Sequence, residues 1–121
     1  MKKKENPFEQ LAALDRMIHE PARLAILTAL SSCKSADFLF LQRITGLTKG
    51  NLSSHLSKLE EGGLINSQKD FVGKQTQTQL ALTARGKKGI EQHWKSLNVF
   101  RDDARNWDMS PVPILPVTGK Q

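Results

Sequence analysis

The sequence predicts a mainly α chain with one small β-hairpin, an α+β fold. Three observations carry this. Apolar residues recur at helical spacing in successive segments before residue 62 and again after residue 83. Between them the period changes, with Thr76, Thr78, Leu80 and Leu82 alternating with Gln75, Gln77, Gln79 and Ala81, as in a half-exposed strand. The length of 121 residues suits one core rather than two.

A first amphipathic helix is read through Phe8, Leu11, Leu14 and Ile18. Pro21 interrupts it and, being suited to a first helical turn, opens a second helix through Leu24, Leu27 and Leu30. Ser35 is placed to cap a third helix through Phe38, Leu41, Gln42 and Thr45, which Gly46 stops. Thr48 caps a fourth that runs to Glu61, with Leu47 and Leu52 set for a hydrophobic staple and Gly62-Gly63 ending it. Residues 64–70 and 75–82 read as strands joined through Phe71-Val72-Gly73-Lys74, with Gly73 at the bend. Thr83 caps a last helix reaching about Asp108 across two weak spots, Gly86 and Gly89. The domain is therefore expected over 8–108. Before it lies a flexible basic arm, 1–7, with Lys2, Lys3 and Lys4; after it lies a flexible tail, 109–121, where Pro111, Pro113 and Pro116 forbid a helix.

Lys and Arg number 18 against 12 Asp and Glu, a formal net charge of +6. Between residues 42 and 89 stand the cations Arg43, Lys49, Lys58, Lys69, Lys74, Arg85, Lys87 and Lys88, against the anions Glu60, Glu61 and Asp70. Eight against three leaves +5 there, so most of the excess charge surrounds the fourth helix and the hairpin. That is the electrostatic footprint of a nucleic-acid partner. A short helix, a turn through Gly46-Leu47-Thr48 and a second helix follow helix-turn-helix grammar, and the basic hairpin behind them is a wing.

At 100° per residue, Leu56 and Leu59 fall within about 40° of Leu52 and form a seam for burial. The opposite side collects Gly50, Asn51, Ser54, Ser57 and Lys58. Asn51 pairs bidentately with adenine in a major groove, Ser54 serves any base edge, and Lys58 reaches a guanine or a phosphate. Gly50 lets the backbone approach closely. Thr48, Lys49, Ser53 and His55 flank this face and suit phosphate oxygens, as do the free N–H groups of the helix start. In the wing, Lys69 and Lys74 are assigned to the adjacent sugar-phosphate backbone or minor groove.

The last helix repeats Ile90, Trp94, Leu97, Phe100, Ala104 and Trp107, and the first carries Phe8, Leu11, Leu14 and Ile18. This is more apolar surface than one small core covers. Pairing across a two-fold axis is the expected remedy, giving a homodimer whose two recognition helices stand about 34 Å apart, one turn of DNA. Packing of the two helices within one chain is the alternative.

The likeness to known proteins rests on five stretches: Arg23-Leu24-Ala25-Ile26-Leu27; residues 46–60 with Leu52-Ser53-Ser54-His55-Leu56 at their centre; Gly63-Leu64-Ile65; the wing residues Lys69, Phe71, Gly73-Lys74 and Thr78; and Leu82-Thr83 with Gly86. In this combination the chain, over about residues 8–108, resembles winged helix-turn-helix transcription regulators of the MarR/ArsR type. The resemblance implies a small stand-alone regulator of double-stranded DNA, a repressor, with N- and C-terminal dimerisation helices. It brings no thiolate metal site, because residues 38–43 lack the paired cysteines of the metal sensors, and no defined effector pocket.

Other chemistry finds little support in the sequence. A single cysteine, Cys33, excludes an intramolecular disulfide and a multi-cysteine zinc site. No apolar run approaches the ~20 residues of a membrane helix, and no apolar segment follows the basic start as in a secretory signal, so a cytoplasmic protein is expected. His19, His55 and His93 fall on three separate predicted helices without an obvious acid or nucleophile beside them, and neither a cofactor nor an enzymatic activity is expected. Two other readings stand beside DNA binding. One is a protein-interaction module using the Asn-Ser-Ser-His face. The other is a switch with a small-molecule effector between the N- and C-terminal helices, or a redox response at Cys33, whose thiol is expected to be inert and partly buried.

Overall fold

Each helix of the chain starts where a side chain can take up a free N–H. A computed structural model describes residues 5–108 and Ser110. Its elements are α1 (Pro7–Ala12), α2 (Pro21–Ser31), β1 (Ala36–Asp37), α3 (Phe38–Thr45), α4 (Lys49–Glu61), β2 (Ile65–Val72), β3 (Gln75–Leu82) and α5 (Ala84–Arg105). Thr48 accepts the Asn51 N–H at 3.1 Å and Thr83 accepts the Gly86 N–H at 2.9 Å, both as their positions predict. Gly46 closes α3 in the left-handed conformation, φ 72°, that glycine adopts without strain.

Five boundaries differ from expectation, each for a local reason. The first helix stops at Ala12 instead of continuing to Ile18, because the Asp15 carboxylate accepts the Met17 N–H at 2.9 Å and turns the chain. It also opens earlier: Asn6 caps it and Pro7, fully buried, is its first residue, so both belong to the domain and not to the arm. Asp37, not Ser35, caps α3, accepting the Phe40 N–H at 2.7 Å, while Ser35 donates to Gln79 Oε1 at 3.0 Å. The hairpin turn is two residues, Gly73-Lys74, rather than four. Val72 still pairs with Gln75, and Gly73 supplies the positive φ of 65° that so tight a turn requires. Finally, α5 ends at Arg105, where Asn106 turns its amide back onto the Asp102 carbonyl.

The two-residue strand β1 was not legible in the sequence. It pairs antiparallel with β3, Ala36 opposite Leu80 and Asp37 opposite Gln79, and completes a three-stranded sheet of order β1-β3-β2. The core gathers Ile26, Leu27 and Leu30 of α2, Leu41 of α3, the α4 leucines, Leu64, Ile65 and Leu80 of the sheet, and Ile90 of α5. Ile18 enters it from the turn before α2. Helix α1 lies on α5, with the Phe8 ring edge-on to Trp107 at 6.3 Å. The lysines of the basic arm and nearly all of the proline-rich tail lie outside the described residues. Among those described, no helix is long and apolar enough to cross a membrane.

Candidate nucleic-acid interface

Helix α4 turns three leucines inward and a polar row outward. Leu52, Leu56 and Leu59 are buried, as the 100° periodicity requires. Thr48, Lys49, Gly50, Asn51, Ser53, Ser54, Ser57 and Lys58 are all exposed. A Cβ on Gly50 would meet nothing within 4 Å, so the backbone there is open to a close approach from outside. The face holds donors and acceptors of both kinds and no acid until Glu60.

His55 departs from this row. It is half-buried, with Nδ1 at 3.3 Å from an Arg23 Nη1 that can only donate and Nε2 at 3.8 Å from Glu20 Oε2. The same guanidinium donates to the Met17 carbonyl at 2.7 Å and to the Arg16 carbonyl at 3.1 Å. Arg23 thus pins the 16–17 turn to α2 and braces α4 from behind. Glu20 completes the group by capping α2, accepting the Arg23 N–H at 2.8 Å. Partial burial pushes the Glu20 carboxyl up, but that hydrogen bond and the nearby His55 and Arg23 charges outweigh it and hold it below its ordinary value of 4.5. His55, expected on a phosphate, is therefore held between Arg23 and Glu20. Arg23 and Glu20 carry no sequence signal for this, because their partners lie up to 35 positions away along the chain.

The wing joins the same side of the molecule. Ser67 Oγ donates to Glu60 Oε2 at 2.9 Å, tying β2 to the end of α4. Alternate residues of a strand share a face, so Lys69 follows Ser67 towards the α4 side, opposite the exposed Thr78. On the reverse face two residues are bonded within the fold: Gln77 donates to Asp37 Oδ2 and Gln79 accepts from Ser35. Gln77 and Gln79 thereby tie the wing to residues 35–37, while Gln75 is exposed. Lys74 is exposed in the turn.

The residues named for a dimer surface divide. Ile18 and Ile90, 7% and 1% exposed, are core residues of their own chain and cannot face a partner. Phe8 and Trp94 are exposed, while Leu11, Leu14, Leu97, Phe100, Ala104 and Trp107 are half-buried. Trp94 also donates its indole N–H to Thr28 Oγ1 at 2.9 Å. Behind this surface His93 is buried, its Nε2 at 2.9 Å from His19 Nδ1. Burial, then the neighbouring His19, push the His93 imidazole below its ordinary 6.5, with Asp15 opposing. His19 lies in the turn between α1 and α2, not on a helix, so two histidines that looked isolated in the sequence are partners in space. A cleft of about 430 Å³ opens here between α5 and the end of α1 with the turn that follows it, lined in part by Leu14, Asp15, His93, Ser96 and Phe100. Cys33, expected to be partly buried, is exposed. Among the described residues no group of three or more side chains is placed to hold a metal ion.

This architecture matches a known family model. Residues 22–100 fit the winged helix DNA-binding domain. The chain belongs to that family. An HTH-type transcriptional regulator of Escherichia coli K12, YgaV, is 44% identical to this winged-helix chain over 62 residues, which is 51% of this chain and 63% of that regulator. A transcriptional regulator homologue from Pyrococcus horikoshii superposes with a TM-score of 0.73 at 26% identity, over 83% of this chain and 98% of that one. A MarR-family regulator from Silicibacter pomeroyi, at 20% identity and a TM-score of 0.59 over 82% of this chain and 64% of its own, shares the winged-helix fold.

Proposed function

We propose that this winged-helix protein is a sequence-specific regulator of transcription that binds double-stranded DNA as a homodimer in the cytoplasm and represses by occluding a promoter. The observation that carries the reading is the exposed polar row of α4, backed by three buried leucines and flanked by a basic wing on the same side. In this reading Asn51 and Ser54 contact base edges in the major groove, with Lys58 beside them. Thr48, Lys49, Gly50 and Ser53 approach phosphates at the helix start, and Lys69 and Lys74 meet the neighbouring backbone or minor groove. His55 and Arg23 hold the helix at its working angle. Phe8, Trp94 and the half-buried residues of α1 and α5 supply the surface for a second copy.

Selection of bound sequences from random duplexes by the full chain tests this. A palindromic consensus with half-sites one turn apart is expected. Asn51→Ala with Ser54→Ala should remove specific binding while the melting temperature stays unchanged. Unchanged affinity would defeat the site assignment, and a chain that selects no duplex but captures a protein through this face would favour the interaction-module reading.

A second reading is favoured by the cleft between α5 and the end of α1 with its following turn, which offers Asp15, His93 and Ser96 beside apolar walls to a small-molecule effector. A thermal shift with a small-molecule panel, followed by DNA affinity with any hit, separates a regulated protein from an unregulated one.

A further inference from the structure

The wing carries an aromatic ring that the domain does not bury. Phe71 is 80% exposed, the most open of the large apolar side chains among the described residues. It stands in β2 opposite Thr76, one pair short of the Gly73-Lys74 turn. Strand alternation puts Ile65, Ser67, Lys69 and Phe71 on one face. The base of that face is fixed by two contacts: Ile65 is buried in the core, and Ser67 is bonded to Glu60 of α4. Phe71 therefore continues the α4 side of the wing, four residues and about 13 Å beyond Ser67.

Its surroundings are those of a nucleic-acid contact rather than a misplaced core residue. Lys69 precedes it on the same face, Lys74 follows at the turn, and the exposed hydroxyls of Thr76 and Thr78 lie across from it. Asp70 belongs to the opposite face with Gln77, as the register requires. A flat apolar ring on a strand that also carries Lys69 and leads to Lys74 complements the wall of a minor groove, where deoxyribose faces lie between rows of phosphates.

We propose that Phe71 is a minor-groove contact of the wing, its ring lying against the sugars and base edges that flank the site read by α4, with Lys69 and Lys74 on the bounding phosphates. This rests on the DNA-binding reading above and assigns a specific role to a residue outside the polar set. It also distinguishes two kinds of wing contribution: the lysines release counterions, whereas the ring does not.

The test uses the full chain and a duplex selected by it. Phe71→Ala should bind that duplex about tenfold more weakly, with the same slope of log affinity against log salt and the same melting temperature. Phe71→Trp should restore the affinity. Lys74→Ala should instead lower the slope by about 0.9. Hydroxyl-radical footprinting should show Phe71→Ala losing protection of sugars beside the α4 half-site and keeping the rest. If Phe71→Ala binds and protects like the wild type while Asn51→Ala with Ser54→Ala loses binding, the Phe71 assignment falls and the DNA reading stands. If Phe71→Ala lowers the sedimentation mass and leaves the footprint intact, the ring belongs to a contact between copies and the assignment is overturned. If the wild type selects no duplex, both readings fall together.

Discussion

A Cβ on Gly86 would stand 1.9 Å from the carbonyl oxygen of Leu64. That carbonyl also accepts the Thr83 N–H at 3.0 Å, so the first turn of α5 is seated directly on the chain entering β2. The glycine is what lets the C-terminal helix lie against the base of the wing. Gly86→Ala is expected to cost about 1–3 kcal/mol despite the better helix propensity of alanine, because backbone must move. Gly50→Ala, in an open helical position, should leave stability unchanged or raise it by up to about 1 kcal/mol. Denaturant melts of the two variants check both signs.

Acidification should weaken the fold at His93. Its imidazole is held below 6.5 in the folded chain by burial and by His19, so the unfolded chain binds the proton more readily. The associated stability is full above 6.5 and declines as pH falls from there towards the lowered folded value. Glu20 acts in a separate window: its carboxyl is held below 4.5, so its contribution is lost only at pH below that. Melting temperatures between pH 7.5 and 5 should fall for the wild type and fall less steeply for His93→Gln. Equal slopes would remove His93 from the account.

Asp37 has two duties, capping α3 through the Phe40 N–H and holding Gln77 of the wing. Asp37→Ala should cost about 1–2 kcal/mol in a denaturant melt. Asp37→Asn keeps an acceptor for the cap and should recover most of that loss.

Each ammonium that meets a phosphate should leave its mark on salt dependence. Lys58→Ala is expected to lower the slope of log affinity against log salt by about 0.9 if Lys58 contacts the backbone. An unchanged slope with altered sequence preference would place it on a base instead.

Pairing of copies is checked by sedimentation at micromolar concentration, where about twice the monomer mass is expected. Trp94→Glu should shift the chain to monomer before it unfolds it, since the ring is 42% exposed. Trp94→Phe, which removes only the indole hydrogen bond to Thr28, should remain paired.

The sequence alone determined the order of five helices and a hairpin, where α4 begins and ends, and which three of its residues face inward. Those properties are local: a hydroxyl three positions before an N–H, a glycine with positive φ, and leucines at helical spacing act over one turn of chain. The tertiary structure alone decided the rest. Ser35 read as the cap of α3, and the pairing of β1 with β3 gave the cap to Asp37 and turned Ser35 to Gln79. Gly86 read as a weak spot in a helix until Leu64 stood against it. His19 and His93, 74 positions apart, met only because Asp15 turned the chain after α1. Ile18 and Ile90 read as surplus apolar surface and are core residues in the fold. Contacts between distant segments leave no period in the sequence, so their partners emerge only when the chain is folded.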